Sequence, residues 1–399
     1  MRRTHRSAAR SMALVTVLGV GVLVAAAGCG PSLRGTASAE RVRAVVEREA
    51  VAFEADAPPA ALVERLAAHR VVVIGEYHEI TGHQDVVGGL VAALHAHGTG
   101  TLLLEYPHAY GWVLDAYAQG ADFDLDPAAS ATYGTLLEHV RRFNATLPVE
   151  DRVRVVAIDV NPRDEDALPP LRGLMFQLGH PPALTGAVEA IEAGAPRADA
   201  LRGLAATLSA DADELRATWG EQRFLAVQDL VEAELRSIEV RSTRSERARS
   251  AARELAMQTF VERVAERRPG GLLINVGAYH AQKTSRDGTV DVWLAEALAR
   301  PDAALSGSVY SLVVVPASGE KRFGDRVRAF DVAAESPPNE LLRVLKSVVG
   351  DRHAFLPFED PLFVQERVVV NYLPRLDTEP PAGVYDGLVL LPVVRAVER

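Results

Sequence analysis

The sequence has a single cysteine, Cys29, among its 399 residues, so no disulfide bond can form within the chain. It has no Gly-x-Ser-x-Gly motif, the turn that presents a nucleophilic serine in many hydrolases. P-loops, Gly-x-Gly-x-x-Gly motifs after a strand and Cys-x-x-Cys pairs are also missing. These absences exclude a disulfide-stabilised core and argue against covalent serine or cysteine catalysis.

The first residues have the features of a targeting segment rather than of a folded domain. Four arginines lie within the first ten residues, and 12–27 is an apolar stretch too short to span a membrane comfortably. Residues 26–29, Ala-Ala-Gly-Cys, resemble a bacterial lipoprotein cleavage site. We therefore predict a lipoprotein signal peptide at 1–28 and lipidation at Cys29; an ordinary secretory signal or a single anchor helix is the alternative.

The predicted mature chain begins with a Gly-, Ser- and Ala-rich tether and an N-terminal helix, together residues 29–58. Gly30, rather than an aspartate, follows the cysteine, which favours the outer membrane if the cell has two membranes. The expected location is extracytoplasmic, at the outer membrane or cell surface. The protein would be attached to the membrane through the lipid at Cys29.

Acidic residues outnumber basic ones, 53 against 43, giving a formal net charge of −10. Loss of the four signal-peptide arginines would bring the mature chain to about −14. Such a charge argues against nucleic acid as a partner and against tight binding to anionic lipid.

Four short aliphatic runs each lead into a carboxylate or a histidine. They lie at 71–78, 102–105, 155–159 and 272–280. Such runs are typical of strands buried on both faces, and ligands bind beyond the carboxyl ends of such strands in α/β sheets. We therefore expect Glu76, His78, Glu105, Asp159 and His280 to meet in one crevice.

The alternation of strand and helix patterns predicts an α/β fold with a mostly parallel central sheet flanked by helices. One domain would span 59–399. From about 183 to 268 the pattern is almost wholly helical, which predicts a large helical insertion, either a lid over the site or a packing arm without a functional role.

The predicted site suits activation of water for attack on an ester or amide. His78 would be the general base, and Glu76 would hold its tautomer and raise its basicity. Glu105 would anchor substrate or water, and His280 would donate to a developing oxyanion. A metal is the alternative, with Glu76, His78 and His280 as ligands and His83 as a further acceptable one.

Four further residues are candidates for substrate binding, each with a structural alternative. His83 could instead face solvent or cap the following helix, and His108, after Pro107, could lie on the rim of the site. Asp159 could tie down a loop, and Arg253, on a predicted helix, could orient a carboxylate or be exposed.

Taken in order, these motifs resemble the erythromycin esterase family, which is grouped with the ChaN-like haem-uptake lipoproteins and the Tiki proteases. The similarity runs from about 71 to 394 and rests on these pieces: Gly75-Glu76-Tyr77-His78, Leu104-Glu105, Leu114-Asp115-Ala116-Tyr117, Val140-Arg141-Arg142-Phe143-Asn144, Val155-Val156-Ala157-Ile158-Asp159, Arg253-Glu254, His280-Ala281-Gln282-Lys283 and Tyr385-Asp386-Gly387.

The resemblance implies that Glu76 and Glu105 match the family's two site glutamates, His78 its water-activating histidine and His280 its late histidine. The implied reaction is water-mediated opening of a macrolide lactone, with no required cofactor. The family usually places two residues between the first Glu and His, whereas only Tyr77 stands here. It usually has a second late histidine where this chain has Gly277, and Arg-Asp where this chain has Arg253-Glu254.

The short Glu76-x-His78 spacing, followed by His83-Gln84, is closer to the ChaN-like group. That resemblance implies binding of haem or iron without hydrolysis, with haem or a divalent metal as the cofactor. The expected partner is thus a small ester or lactone, or alternatively haem.

Overall fold

The computed structural model describes residues 35–397 apart from 79, 162–167, 285–289, 324–325, 333, 335–338 and 371–378. The predicted signal peptide and Cys29 lie outside the described residues. Within the part of the chain that the structure describes, no helix combines the length and the apolar character needed to cross a bilayer.

The described residues form ten strands and fourteen α-helices. The strands are β1 (Val51–Phe53), β2 (Val71–Glu76), β3 (Thr99–Pro107), β4 (Arg154–Asp159), β5 (Gly271–Gly277), β6 (Val309–Pro316), β7 (Ser318–Phe323), β8 (Arg326–Asp331), β9 (His353–Pro357) and β10 (Gly387–Leu391). The helices are α1 (Ala39–Glu49), α2 (Ala60–Ala67), α3 (His83–His95), α4 (Gly111–Ala118), α5 (Pro127–Asn144), α6 (Leu168–Gln177), α7 (Pro182–Glu192), α8 (Arg197–Ala210), α9 (Ala212–Trp219), α10 (Glu221–Ser242), α11 (Glu246–Arg267), α12 (Leu294–Ala299), α13 (Glu340–Val349) and α14 (Pro361–Gln365).

Eight strands form one sheet in the order β1-β9-β10-β6-β2-β5-β3-β4. All neighbours from β10 to β4 are parallel, whereas β9 is antiparallel to both β1 and β10. Strands β7 and β8 form a separate antiparallel pair. The predicted α/β fold with a mostly parallel central sheet is therefore confirmed.

Strand β2 shows why this sheet lies in the middle of the molecule. Val71 and Val73 pack into the core on one face, and Val72 and Ile74 pack into the core on the other. Helices α1, α11, α12 and α13 contribute to the first core, and α2 to α5 contribute to the second. The aliphatic runs in the sequence are thus strands that helices cover on both faces.

Six helices, α6 to α11, occupy the chain between β4 and β5. They include nearly all of the predicted insertion at about 183–268, although the helices begin earlier, at Leu168. Helices α6 to α10 bury a cluster of their own around Phe224, whereas α11 packs on the sheet through Met257 and Phe260. Helix α11 therefore belongs to the layer over the sheet, and this layer carries Arg253.

Candidate active site

The carboxyl ends of four adjacent parallel strands, β2, β5, β3 and β4, lie at one edge of the sheet. Glu76 ends β2 and lies opposite Gly277 on β5. Glu105 lies near the end of β3, and Asp159 ends β4. The sheet register thus brings together acidic side chains from three separate parts of the sequence.

Glu76 is buried and has partners for both carboxylate oxygens. His78 Nδ1 lies 3.2 Å from Oε1, while His83 Nε2 at 2.5 Å and the Asn275 amide at 2.7 Å contact Oε2. Burial by itself would raise the pKa of Glu76, but His83 and His78 lower it to about 2. Glu76 is therefore a carboxylate at neutral pH and can orient His78.

Glu105 links the backbone of β5 to two cationic side chains. Its Oε1 accepts from Arg253 Nη2 at 2.5 Å and lies 3.2 Å from His280 Nε2. Its Oε2 accepts from the Gly277 N–H at 2.5 Å. Burial would raise the pKa of Glu105, but His280 and Arg253 hold it well below its ordinary value.

Arg253 bridges Glu105 and Asp159 from above the strand ends. Its Nε donates to Asp159 Oδ1 at 2.8 Å and its Nη2 to Oδ2 at 2.6 Å, a bidentate pair that fixes the plane of the guanidinium. Its Nη1 lies 3.5 Å from His280 Nε2 and has no carboxylate or carbonyl partner among the described residues.

The ring of His280 lies between two carboxylates. Nε2 is 3.2 Å from Glu105 Oε1, and Nδ1 is 2.7 Å from Glu254 Oε1. Although burial disfavours its cation, these carboxylates raise the pKa of His280 to about 10. His280 is thus an imidazolium at neutral pH whose two ring nitrogens both face carboxylates.

His78 differs from the other histidines of the cluster in its exposure. Its side chain is 55% exposed, whereas those of His83 and His280 are 3% and 8% exposed. The hydrogen bond with Glu76 raises the pKa of His78. His78 is therefore the cluster histidine that solvent and a substrate can reach.

Gly277 provides the space that His78 occupies. A Cβ atom at this position would lie 2.8 Å from His78 Nε2 and 3.3 Å from Glu105 Oε2. The short spacer at Tyr77 and the glycine at 277 were two of the differences from the erythromycin esterase pattern. They meet here, because the spacer sets the position of His78 and Gly277 leaves room for its ring.

The structure brings seven of the eight predicted catalytic and substrate-binding residues together and places one elsewhere. Glu76, His78, His83, Glu105, Asp159, Arg253 and His280 form the cluster. His83 is neither exposed nor only a helix cap, since it contacts Glu76. The roles assigned to these residues remain predictions.

His108 does not join the cluster, contrary to the expected position on the rim. It lies in a 3-10 turn, His108–Tyr110, where its Nδ1 contacts the Ala157 carbonyl oxygen and its ring stacks on Phe260. β3 ends at Pro107, so His108 follows the strand in this turn and does not continue its register.

Sequence reasoning missed three residues of the site. Asn275 donates to Glu76, and Glu254 contacts His280. Tyr133, buried on α5, donates to the Glu105 carbonyl oxygen at 3.3 Å, and burial raises its pKa well above the ordinary value. An amide within an aliphatic strand was a signal for Asn275, but nothing in the local sequence marked Tyr133.

The predicted metal ligands Glu76, His78 and His280 do not form a ready ligand set. Among the described residues, no group of three or more His, Cys, Asp or Glu side chains is arranged to hold a metal ion. For haem, His78 is the exposed histidine of the cluster, and one histidine is enough to ligate haem iron. The donor set as arranged does not fit a divalent metal ion, and haem binding stays a prediction.

Three solved structures resemble this one. A protein of Bacillus cereus superposes at a TM-score of 0.71 with 15% identity, covering 91% of this chain and 100% of that chain. A succinoglycan biosynthesis protein superposes at a TM-score of 0.68 with 12% identity, covering 91% of this chain and 99% of that chain. A mutant of the erythromycin esterase EreC in its open conformation superposes at a TM-score of 0.58 with 15% identity, covering 84% of this chain and 93% of that chain.

No protein-family model matches the sequence, and a search of curated proteins gives no match. At these identities the structural likeness establishes the fold alone. The chain has the fold of the erythromycin esterase-like proteins, and the predicted resemblance is confirmed at that level. Haem-binding ChaN of Campylobacter jejuni superposes at a TM-score of only 0.28 with 10% identity.

Proposed function

We propose that this protein is a hydrolase in which His78 activates a water molecule for attack on an ester or lactone. The observation that carries the proposal is the exposed His78 imidazole, whose Nδ1 lies 3.2 Å from the buried Glu76 carboxylate. An Nδ1–H donated to Glu76 leaves Nε2 as the acceptor for a proton from water. This is the arrangement by which a carboxylate fixes the tautomer of a catalytic base.

The neighbouring cations would stabilise the negative charge that develops on the carbonyl oxygen. We predicted His280 as the oxyanion donor, but both of its ring nitrogens already face carboxylates, those of Glu105 and Glu254. Arg253 Nη1, which has no carboxylate partner among the described residues, suits the donor role better. His280 would then act as a positioning residue that keeps Glu105 ionised, and Glu105 would hold Arg253 in place.

The lipoprotein pattern at 26–29 supports attachment of this hydrolase to a membrane outside the cytoplasm through lipid at Cys29. Opening of a macrolide lactone is the family's reaction, and a simple ester requires the same attack by water. We therefore propose ester and lactone substrates together rather than one compound.

The deciding experiment measures acid release by the purified protein from a panel of aryl esters, small lactones and a macrolide. Hydrolysis of at least one class above the buffer rate supports the proposal. A protein that hydrolyses none of them, but develops a Soret band on titration with hemin, would be a haem-binding protein instead.

Activity on a neutral ester is expected to rise with pH. The hydrogen bond with Glu76 places the pKa of His78 above the ordinary 6.5, and only the deprotonated ring accepts a proton. kcat/KM should therefore increase through a midpoint above pH 6.5 and decline towards pH 10, where His280 loses its charge. Initial rates across this range test the prediction; a rising limb centred below pH 6.5 would point to a different base.

The Gly277→Ala variant is expected to lose roughly 10²-fold in kcat/KM, because a displacement of about 1 Å in a catalytic group can have such an effect. The added Cβ would lie 2.8 Å from His78 Nε2, so His78 must move. Gly186→Ala on α7 is the matched control, since a Cβ there meets no atom within 4 Å. Full activity in a folded Gly277→Ala variant would remove the assigned position of His78.

A further inference from the structure

A second cavity lies beside β4, the edge strand of the sheet, and is separate from the cluster of acids and histidines. Its volume is about 370 Å³, and α4, β4, α10 and α11 line it. Cavities of about 300–1,000 Å³ with apolar walls and a few polar groups are the usual form of small-molecule sites.

Aromatic rings form part of the cavity wall. The rings of His108 and Phe260 are parallel, with centroids 4.3 Å apart. Trp112 also lines the cavity, and its indole packs so closely on α6 that a Cβ at Gly173 would lie 2.6 Å from it. Its buried Nε1 has no acceptor among the described residues. The cavity thus offers flat apolar surface on this side.

Arginines line the other part of the cavity, and one of them has no ion pair among the described residues. Arg154 pairs with Asp115, Arg263 pairs with Glu232 and Asp229, and Arg267 pairs with Asp229. The Arg268 guanidinium has neither a carboxylate nor a hydrogen-bond partner among the described residues.

Burial and the nearby positive charges of Arg154 and Arg267 lower the pKa of Arg268, while Asp115, which is already paired with Arg154, acts in the opposite direction. A partly buried cation that lies beside other cations and has no ion pair of its own gains from a bound anion. The chain as a whole carries a net charge of −10, so this is a local excess of positive charge in an acidic protein.

We propose that this cavity binds a small organic anion with a flat aromatic body, a carboxylate or sulfonate on a ring system about the size of naphthalene. The acid group pairs with Arg268, since guanidinium binds carboxylate through two parallel hydrogen bonds. The ring system packs against the wall formed by Trp112, His108 and Phe260.

The test is calorimetric titration of the purified protein with 2-naphthoate and with uncharged 2-naphthol. We expect 2-naphthoate to bind with one-to-one stoichiometry and at least about tenfold more tightly than 2-naphthol, because a desolvated ion pair contributes of that order. Arg268→Met, which keeps a long apolar side chain, should remove this preference. Arg343→Met, at an exposed arginine on α13, is the control and should bind 2-naphthoate like the wild type.

Ala226→Phe provides a second variant, since Ala226 lines the cavity and a phenyl group would fill it. The proposal requires that this variant no longer bind 2-naphthoate. Equal affinity for 2-naphthoate and 2-naphthol in the wild type, or unchanged 2-naphthoate binding in either Arg268→Met or Ala226→Phe, would overturn it.

Discussion

Replacement of His78 by alanine is expected to lower kcat/KM for ester hydrolysis by roughly 10²- to 10⁴-fold, the usual contribution of a positioned general base. Glu76 and Glu105 keep their buried partners in this variant, because His83, Asn275, Arg253 and the β5 backbone still contact them. The loss should therefore appear in kcat, with little change in the unfolding midpoint. Steady-state kinetics on the best substrate of the panel measure it.

His97→Ala is the matched control for this experiment. His97 is exposed just after α3, and its removal should leave the rate unchanged. Activity that survives His78→Ala but disappears after a change elsewhere in the cluster would assign the base to another residue. Activity that survives all such changes would place the chemistry outside the cluster.

Replacement of Glu105 by glutamine is expected to destabilise the fold by about 3–5 kcal/mol, the usual effect of removing one member of a buried ion pair. Both carboxylate oxygens of Glu105 accept hydrogen bonds, one from Arg253 and the other from the Gly277 N–H. A glutamine must direct its NH₂ group at one of these donors. Urea unfolding followed by circular dichroism gives the change in the free energy of unfolding.

The pH dependence of this loss separates the charge effect from a packing effect. The pKa of His280 is about 10 in the folded protein against an ordinary 6.5, so its stabilisation is complete below about pH 6.5 and disappears as pH rises through 10. The difference between wild type and Glu105→Gln should therefore shrink over the same interval.

The control is Glu47→Gln, since Glu47 forms an exposed i, i+4 pair with Arg43. Its effect should be below about 1 kcal/mol. If Glu105→Gln were no more destabilising than Glu47→Gln, the Glu105 carboxylate would not hold the cluster together.

The sequence was informative where one local pattern determines the structure. Buried aliphatic runs mark β2, β3, β4 and β5, and the polar residues at their ends mark the site, because parallel strands with both faces covered have few alternatives. Strands β7 and β8 lack this pattern, since β7 contains three consecutive charged residues, 320–322, and β8 carries Arg326 and Arg328. β9, only five residues long, gave too short a pattern to be recognised.

A local sequence pattern could not predict contacts between side chains from distant segments. Tyr133 on α5 reaches the Glu105 carbonyl oxygen near the end of β3, and Glu254 on α11 reaches His280 just after β5, although neither pair is close in sequence. His108, three residues after Glu105, contacts Ala157 and Phe260, and none of its described contacts is with the cluster.

The contact between His78 and Gly277 has a consequence for how chains of this fold change over evolutionary time. A side chain at 277 and an imidazole two residues after Glu76 would occupy the same volume. A substitution at 277 and a change in the length of the spacer after Glu76 are therefore each unfavourable unless the other accompanies it. Descendants and relatives with the one-residue spacer should carry glycine at the position of 277, and those with the longer spacer should be free to carry histidine there. The pair would then be inherited as a unit, and a lineage would pass between the two states only through a weakened intermediate.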